Sequence, residues 1–257
     1  MRDQTEFKEI CQRLSHYEQE PPGITIEDAI ATGDRLFPKD EYSIRNALDV
    51  LCDSVADLKQ DTEIIGDANV LATCICLSLV IMRRVETLFD PSIFLWAKYI
   101  NNSYRFSGLM IQNSTLSPDE YLIEMKKSKR EAERSGWNDR NALAKFYEFF
   151  YNEGWYYSPE GQENYPHPIG SNDLNIYQLV IKHFLLSFPR TFSRKELYNL
   201  LLGELHELRM EVFNTKLDSK NIAFEAADVI IYLLHIASDF NIDISEAIKN
   251  INRFNLS

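Results

Sequence analysis

Apolar side chains recur at intervals of three and four residues through most of this chain. Ile44, Leu48, Leu51, Val55 and Leu58 form one such row, and Tyr177, Val180, Ile181, Phe184, Leu185 and Phe188 form another. That interval lays one face of an α-helix against a core, whereas a half-buried strand alternates every second residue. No convincing alternation is present, so an all-α fold is expected. Start signals divide the helices. Thr25-Ile26-Glu27-Asp28 caps a helix towards Phe37, and Pro38 stops it. Asp67 precedes an apolar helix through Val85, and Asp90-Pro91 opens another to about Asn101. Ser117-Pro118-Asp119-Glu120 and Ser193-Arg194-Lys195-Glu196 are capping boxes, the first for a highly charged helix through Arg134. Asn141 to Tyr151 reads as an aromatic helix. Asn221 or a neighbour starts a helix to Asp239, and Asp243-Ile244-Ser245-Glu246 caps a last short one.

Residues 152–173 break the pattern with Gly154, Pro159, Gly161, Pro166, Pro168 and Gly170 among Trp155, Tyr156, Tyr157 and Tyr165. Such a cluster reads as a turn-rich loop. Three parts are therefore expected: a helical region over 1–151 of unassigned role, the aromatic loop over 152–173, and a helical domain over 174–257. The net charge is 27 − 39 = −12, which argues against a general nucleic-acid binder, since that needs basic surface. Lys126-Lys127-Ser128-Lys129-Arg130 reads as a solvated helix face. Cys11, Cys52, Cys74 and Cys76 form no CxxC pair and read as free thiols of a reducing compartment. The N-terminus lacks the apolar core of a signal peptide. The apolar run from Val70 to Met82 falls short of the roughly 20 residues of a membrane span. The expectation is a cytoplasmic protein with no membrane partner.

The chemistry concentrates in two carboxylate pairs. Glu204 and Glu207 stand three apart on one expected helix, and Glu225 and Asp228 three apart on the next. Residues at i and i+3 share a helix face, so each pair projects two acids the same way. Leu201, Leu202, Leu205 and Leu208 flank the first pair, and Ala226, Ala227, Val229, Ile230 and Ile231 the second. Acids in such stretches face desolvation unless paired or metal-bound. Four converging carboxylates repel one another unless a cation joins them, and a hard divalent ion such as Mg²⁺ takes oxygen ligands. Other site types fail: there is no GxxxxGK[ST] loop, no GxGxxG, no GxSxG and no HExxH among His16, His167, His183, His206 and His235.

The stretch Gly203-Glu204-Leu205-His206-Glu207, followed after a short gap by Glu225-Ala226-Ala227-Asp228, resembles the MazG-like all-α nucleoside triphosphate pyrophosphohydrolases. Their signature is EExxE followed at short range by ExxD on two helices of a four-helix unit. Val229 to Ala237 looks like that family's second core helix, and Asn241-Ile242-Asp243-Ile244 like its turn into the last helix. The likeness covers residues 174–254. Gly203 stands where most members have the first Glu, as in the dCTP pyrophosphatase branch with its LVGEVGEL. The resemblance implies Mg²⁺, with Mn²⁺ as the alternative ion, on Glu204, Glu207, Glu225 and Asp228, and hydrolysis of a (deoxy)nucleoside triphosphate to monophosphate and pyrophosphate. It implies contacts to phosphates or sugar from Lys249, Asn252 and Arg253, although these sit about one turn early, and base stacking on Phe188, with Phe192 nearby. Trp155, Tyr156 and Tyr157 are alternative stacking platforms. Glu207 is the candidate general base, and His206 is a further candidate near phosphate.

Two other readings stand beside this one. EAAD also resembles phosphoribosyl-ATP pyrophosphohydrolase, though the Cys/His-rich cyclohydrolase often fused to it is missing here. Gly203, the short tail and the first half fit a non-catalytic helical module that binds nucleotide or a protein. A four-helix unit of some 80 residues has a small core. Members of the family dimerise, so a homodimer or higher assembly is expected, together with extensive packing between the two halves. A uniform shift, 240 − 89 = 151, places Phe89, Lys98, Ile100 and Asn101 on Phe240, Lys249, Ile251 and Asn252. It also places Asp53 on Glu204 and puts Ala56, Cys74 and Leu77 at the other three acid positions. The first half therefore reads either as a decayed copy unable to hold an ion or as an unrelated helical domain.

Overall fold

A computed structural model describes residues 4–60, 63–85, 91–106, 171–187 and 192–254, with seven helical positions between 120 and 134. The described residues are all-α apart from one small hairpin. In order they are α1 (Gln4–Ser15), α2 (Ile26–Leu36), α3 (Ile44–Asp57), strands β1 (Lys59–Gln60) and β2 (Glu63–Ile64), α4 (Ala68–Val85) and α5 (Pro91–Phe106). There follow α6 (Leu174–Ser187), α7 (Arg194–Val212), α8 (Ser219–Asp239) and α9 (Ile244–Phe254). Glu120, Lys126, Lys127, Arg130 and Arg134 are helical and exposed, as a charged helix face requires. The expected cap at Ser117, the helix over 141–151, most of the loop over 152–173 and Phe188 lie outside the described residues.

The start signals act as read. Thr25 and Ser193 each accept from the backbone three residues on, and Asp28 and Glu196 return the bond, closing both capping boxes. Asp67 accepts from the amides of Asn69 and Val70 at 2.9 and 3.0 Å. The helix expected from about Asn221 starts earlier, because Asp218 accepts from Lys220 and Asn221 and so caps at Ser219. At its far end Asn241 takes the left-handed conformation (φ 55°), and Ile242 N–H reaches back to Ala237 C=O at 2.8 Å. This is a Schellman stop, with Asn in the role usually held by glycine. The β1–β2 hairpin was not expected: two-residue strands, pairing Lys59 with Ile64 and Gln60 with Glu63, are too short to leave an alternation.

The chain gathers into two compact units. One comprises Met1–Glu20, Ser92–Ser171 and His183–Thr191. In it the Trp96 indole donates to Ser171 C=O at 3.0 Å, and Tyr99 meets Trp96 and Phe184 edge-on at 6.0 and 5.7 Å between ring centres. The other comprises Pro21–Pro91, Asn172–Lys182 and Phe192–Ser257. Its centre is α4, packed against α2, α3, α8 and α9, while α8 also lies along α7 and α7 meets α3. Helices from the first half and from the C-terminal third therefore share one core. The rows behave as their spacing requires: Ala47, Leu48, Leu51, Val55 and Leu58 are buried on the α3 side, and Leu197, Tyr198, Leu201, Leu205 and Leu208 on the α7 side. Each large aliphatic chain so buried contributes about 1.5–3 kcal/mol.

At Gly33 a Cβ would lie 2.6 Å from the Val80 side chain and 2.9 Å from the Cys76 carbonyl, so α2 crosses α4 at a distance only glycine allows. Before both α2 and α6, short extended segments pair. Thr25 bridges Asp173 antiparallel, with Ile26 N–H on Asn172 C=O at 2.7 Å and Leu174 N–H on Ile24 C=O at 2.9 Å. Helices α4 and α8 are each long and apolar enough to cross a membrane by length and composition. The 18 residues of α4 exceed the run counted from Val70 to Met82 because the helix extends at both ends. Most of each is buried against other helices of the unit.

Candidate metal centre

The caps at Ser193 and Asp218 fix where α7 and α8 begin, and hence which way every later side chain points. With Leu201, Leu205 and Leu208 turned to the core, Glu204 and Glu207 fall together on the flank of α7 beside α8. There one carboxylate oxygen each from Glu204, Glu207 and Glu225 lies within 4.8 Å of the other two. Glu204 and Glu225 are half-buried and Glu207 is exposed. Asp228, one turn beyond Glu225, is outside that cluster and only 1% exposed. Its neighbour is the buried phenol of Tyr177 on α6, whose pKa is raised well above its ordinary value by burial first and by the Asp228 charge second. The sequence marked Tyr177 only as one member of an apolar row. Its signal is a phenol in a row otherwise of Val, Ile, Leu and Phe, and a buried hydroxyl usually seeks a polar partner.

Three of the four leucines that flank the first pair face the core. Leu201, Leu205 and Leu208 are buried, but Leu202 is 41% exposed, because it falls off the inward stripe of α7. Gly203 sits on the open side of α7, with nothing within 4 Å of where a Cβ would stand. His206 is also exposed on α7.

The donor set suits a hard cation. All three clustered ligands are carboxylates, and like charges this close disfavour one another's ionised form unless a positive charge intervenes. Three carboxylate oxygens gathered within 4.8 Å of one another are near enough for one small divalent ion to be held by all three.

The remaining expected site residues are dispersed. Helix α9 packs on α4 and α2, and there Asn252 Oδ1 accepts from Arg35 at 2.5 Å. Arg253 donates to Glu246 and Asn250 at 3.4 and 3.2 Å and is exposed. Lys249 and Phe192 are half-buried. Trp155, Tyr156 and Tyr157, like Phe188, lie outside the described residues. Cys52, Cys74 and Cys76 are free thiols, and burial pushes the Cys76 thiol up to about 12. Burial likewise drives His183 and His235 down to about 3, so both are neutral imidazoles near neutral pH. Comparison of the chain with protein-family models, characterised proteins and solved structures finds no match.

Proposed function

We propose that this chain hydrolyses a (deoxy)nucleoside triphosphate to the monophosphate and pyrophosphate. The supporting observation is the convergence of Glu204, Glu207 and Glu225 between two packed helices. Beside it stands the ExxE and ExxD spacing that resembles the MazG-like enzymes. Glu204, Glu207 and Glu225 would hold Mg²⁺ or Mn²⁺, with Asp228 the fourth acid. When bound, the ion supplies charge neutralisation of the triphosphate and acidification of a water. Glu207, the most solvent-reached of the three, is suited to orient the attacking water and take its proton. Lys249, Asn252 and Arg253 are the proposed phosphate and sugar contacts, and Phe188 the base platform. For Asn252 and Arg253 this means exchanging their bonds to Arg35, Glu246 and Asn250 for bonds to substrate.

Those existing bonds favour one second reading, a helical module that binds nucleotide without turnover. Pyrophosphate release separates the two. Purified protein with millimolar Mg²⁺ and a panel of triphosphates is expected to release it, and Glu204→Gln and Asp228→Asn are expected to abolish release while the helical circular dichroism stays intact. Near wild-type rates in either variant would remove these acids from the site. Nucleotide binding without pyrophosphate release would favour the non-catalytic module.

A further inference from the structure

Residues 26–85 and 174–239 pass through the same helices in the same order, and the caps keep step. Ser43 caps α3 and Ser193 caps α7, an offset of 193 − 43 = 150. Asp67 caps α4 and Asp218 caps α8, an offset of 218 − 67 = 151. Burial keeps the same register. With Ser43 laid on Ser193, the buried Ala47, Leu48, Leu51, Val55 and Leu58 fall on Leu197, Tyr198, Leu201, Leu205 and Leu208, all buried too. With Asp67 laid on Asp218, Leu71, Ala72 and Ile75 of α4 fall on Ile222, Ala223 and Ala226 of α8, again all buried. Two unrelated amphipathic helices share a period, but nothing requires their caps to agree as well. The segments that lead into α2 and α6 also pair with each other, each giving one backbone bond and receiving one, as an antiparallel pair does.

We propose that residues 21–85 and 171–239 are two copies of one helical repeat, and that the first copy, three of its four acids lost, is the built-in partner of the second. The register also corrects the uniform shift of 151. Between its two caps the second copy carries one residue more, so Ser54 and Asp57, not Asp53 and Ala56, stand for Glu204 and Glu207. Cys74 and Leu77 stand for Glu225 and Asp228, and both are fully buried. Asp57 lies near enough to Cys74 for its charge to help burial raise that thiol's pKa, as Glu207 lies beside Glu225. With the first residues of α2 and α6 aligned, Ile26 on Leu174, Tyr177 is matched by Ala29, also fully buried. The polar pair Tyr177 and Asp228 of one copy is thus an apolar pair in the other. One carboxylate holds no ion, and each chain carries one metal set. That clause rests on the metal reading; the pairing of the copies does not.

The test uses the full chain. Mn²⁺ binding followed by electron paramagnetic resonance is expected to weaken at least tenfold in Glu207→Gln and to stay within twofold in Asp57→Asn; equal loss in both would overturn the one-sided site. Thermal unfolding is expected to show one transition for the shared core, lowered by similar amounts in the mirror variants Leu51→Ala and Leu201→Ala. The milder Leu51→Val and Leu201→Val give the same comparison with smaller shifts. Two transitions, each moved by only one variant, would overturn the built-in partner. A shared transition in a chain that binds no Mn²⁺ would sink the metal reading and support the pairing.

Discussion

At the scale of single residues, the two buried imidazoles make a clear demand. An unfolded histidine has a pKa near 6.5, and in the fold His235 sits at about 3 because burial excludes its charged form. A depressed pKa gives stability that is complete above 6.5 and lost as pH falls towards 3, at about 1.4 kcal/mol per pH unit per histidine. Between pH 6.5 and 5 ordinary carboxylates remain ionised, so the slope there belongs to histidine. Urea unfolding of His235→Leu across that window is expected to show a shallower fall than wild type; an unchanged slope would mean that the imidazole is protonated in place. Tyr177 makes the second demand. Removing the hydroxyl that neighbours Asp228 in Tyr177→Phe is expected to slow pyrophosphate release about tenfold, about 1.4 kcal/mol in the barrier, with circular dichroism unchanged. A wild-type rate would reduce Tyr177 to core packing. Glu204 and Glu207 were legible as a pair because i and i+3 on a helix share a face; that Glu225 joins them while Asp228 does not depends on how α8 lies against α7. Tyr177 was not legible, because nothing local tells a residue what faces it from a helix far along the chain.

At the scale of elements, caps and stripes were the readable part. Thr25, Ser193 and Asp67 begin helices as their side chains dictate, since each answers an amide two or three residues ahead. Asp218 was missed in favour of Asn221 because both are capping residues within one turn, and only the folded backbone shows which oxygen meets free amides. Leu202 stands beside the acids in sequence, while the phase of α7 turns it outward. Gly203 offers the cleanest test of that phase. A mid-helix glycine costs about 0.5–1 kcal/mol against alanine, and here a Cβ meets nothing. Gly203→Ala is therefore expected to stabilise the protein by that amount in urea unfolding. Destabilisation would place another surface against this side of α7.

At the scale of the whole molecule, the chain changes composition over 152–173, where a boundary between domains is expected. The compact units nonetheless interleave chain segments, with residues 21–91 sharing a core with the C-terminal helices. Sequence reading follows the chain and has no means of seeing that Leu79 and Ile230, both fully buried, belong to helices packed together. A fragment of residues 170–257 lacks α4, the helix on which α8 and α9 lie. It is expected to be insoluble or poorly folded and to release no pyrophosphate. A soluble, fully active fragment would show that the second half needs no cover.

The short bridge between Thr25 and Asp173 carries a consequence for how the protein comes into being. It joins two positions separated by more than half of the chain, and the cover that α8 and α9 give to α4 spans a comparable length. Contacts so distant close late and slowly. During synthesis α4 leaves the ribosome with α2 and α3 already made but well before α8 exists, so the side that α8 and α9 cover stays bare, and at roughly 5–20 residues per second the wait lasts roughly seven to thirty seconds. Throughout that interval the nascent chain is a substrate for chaperones and a hazard to its neighbours.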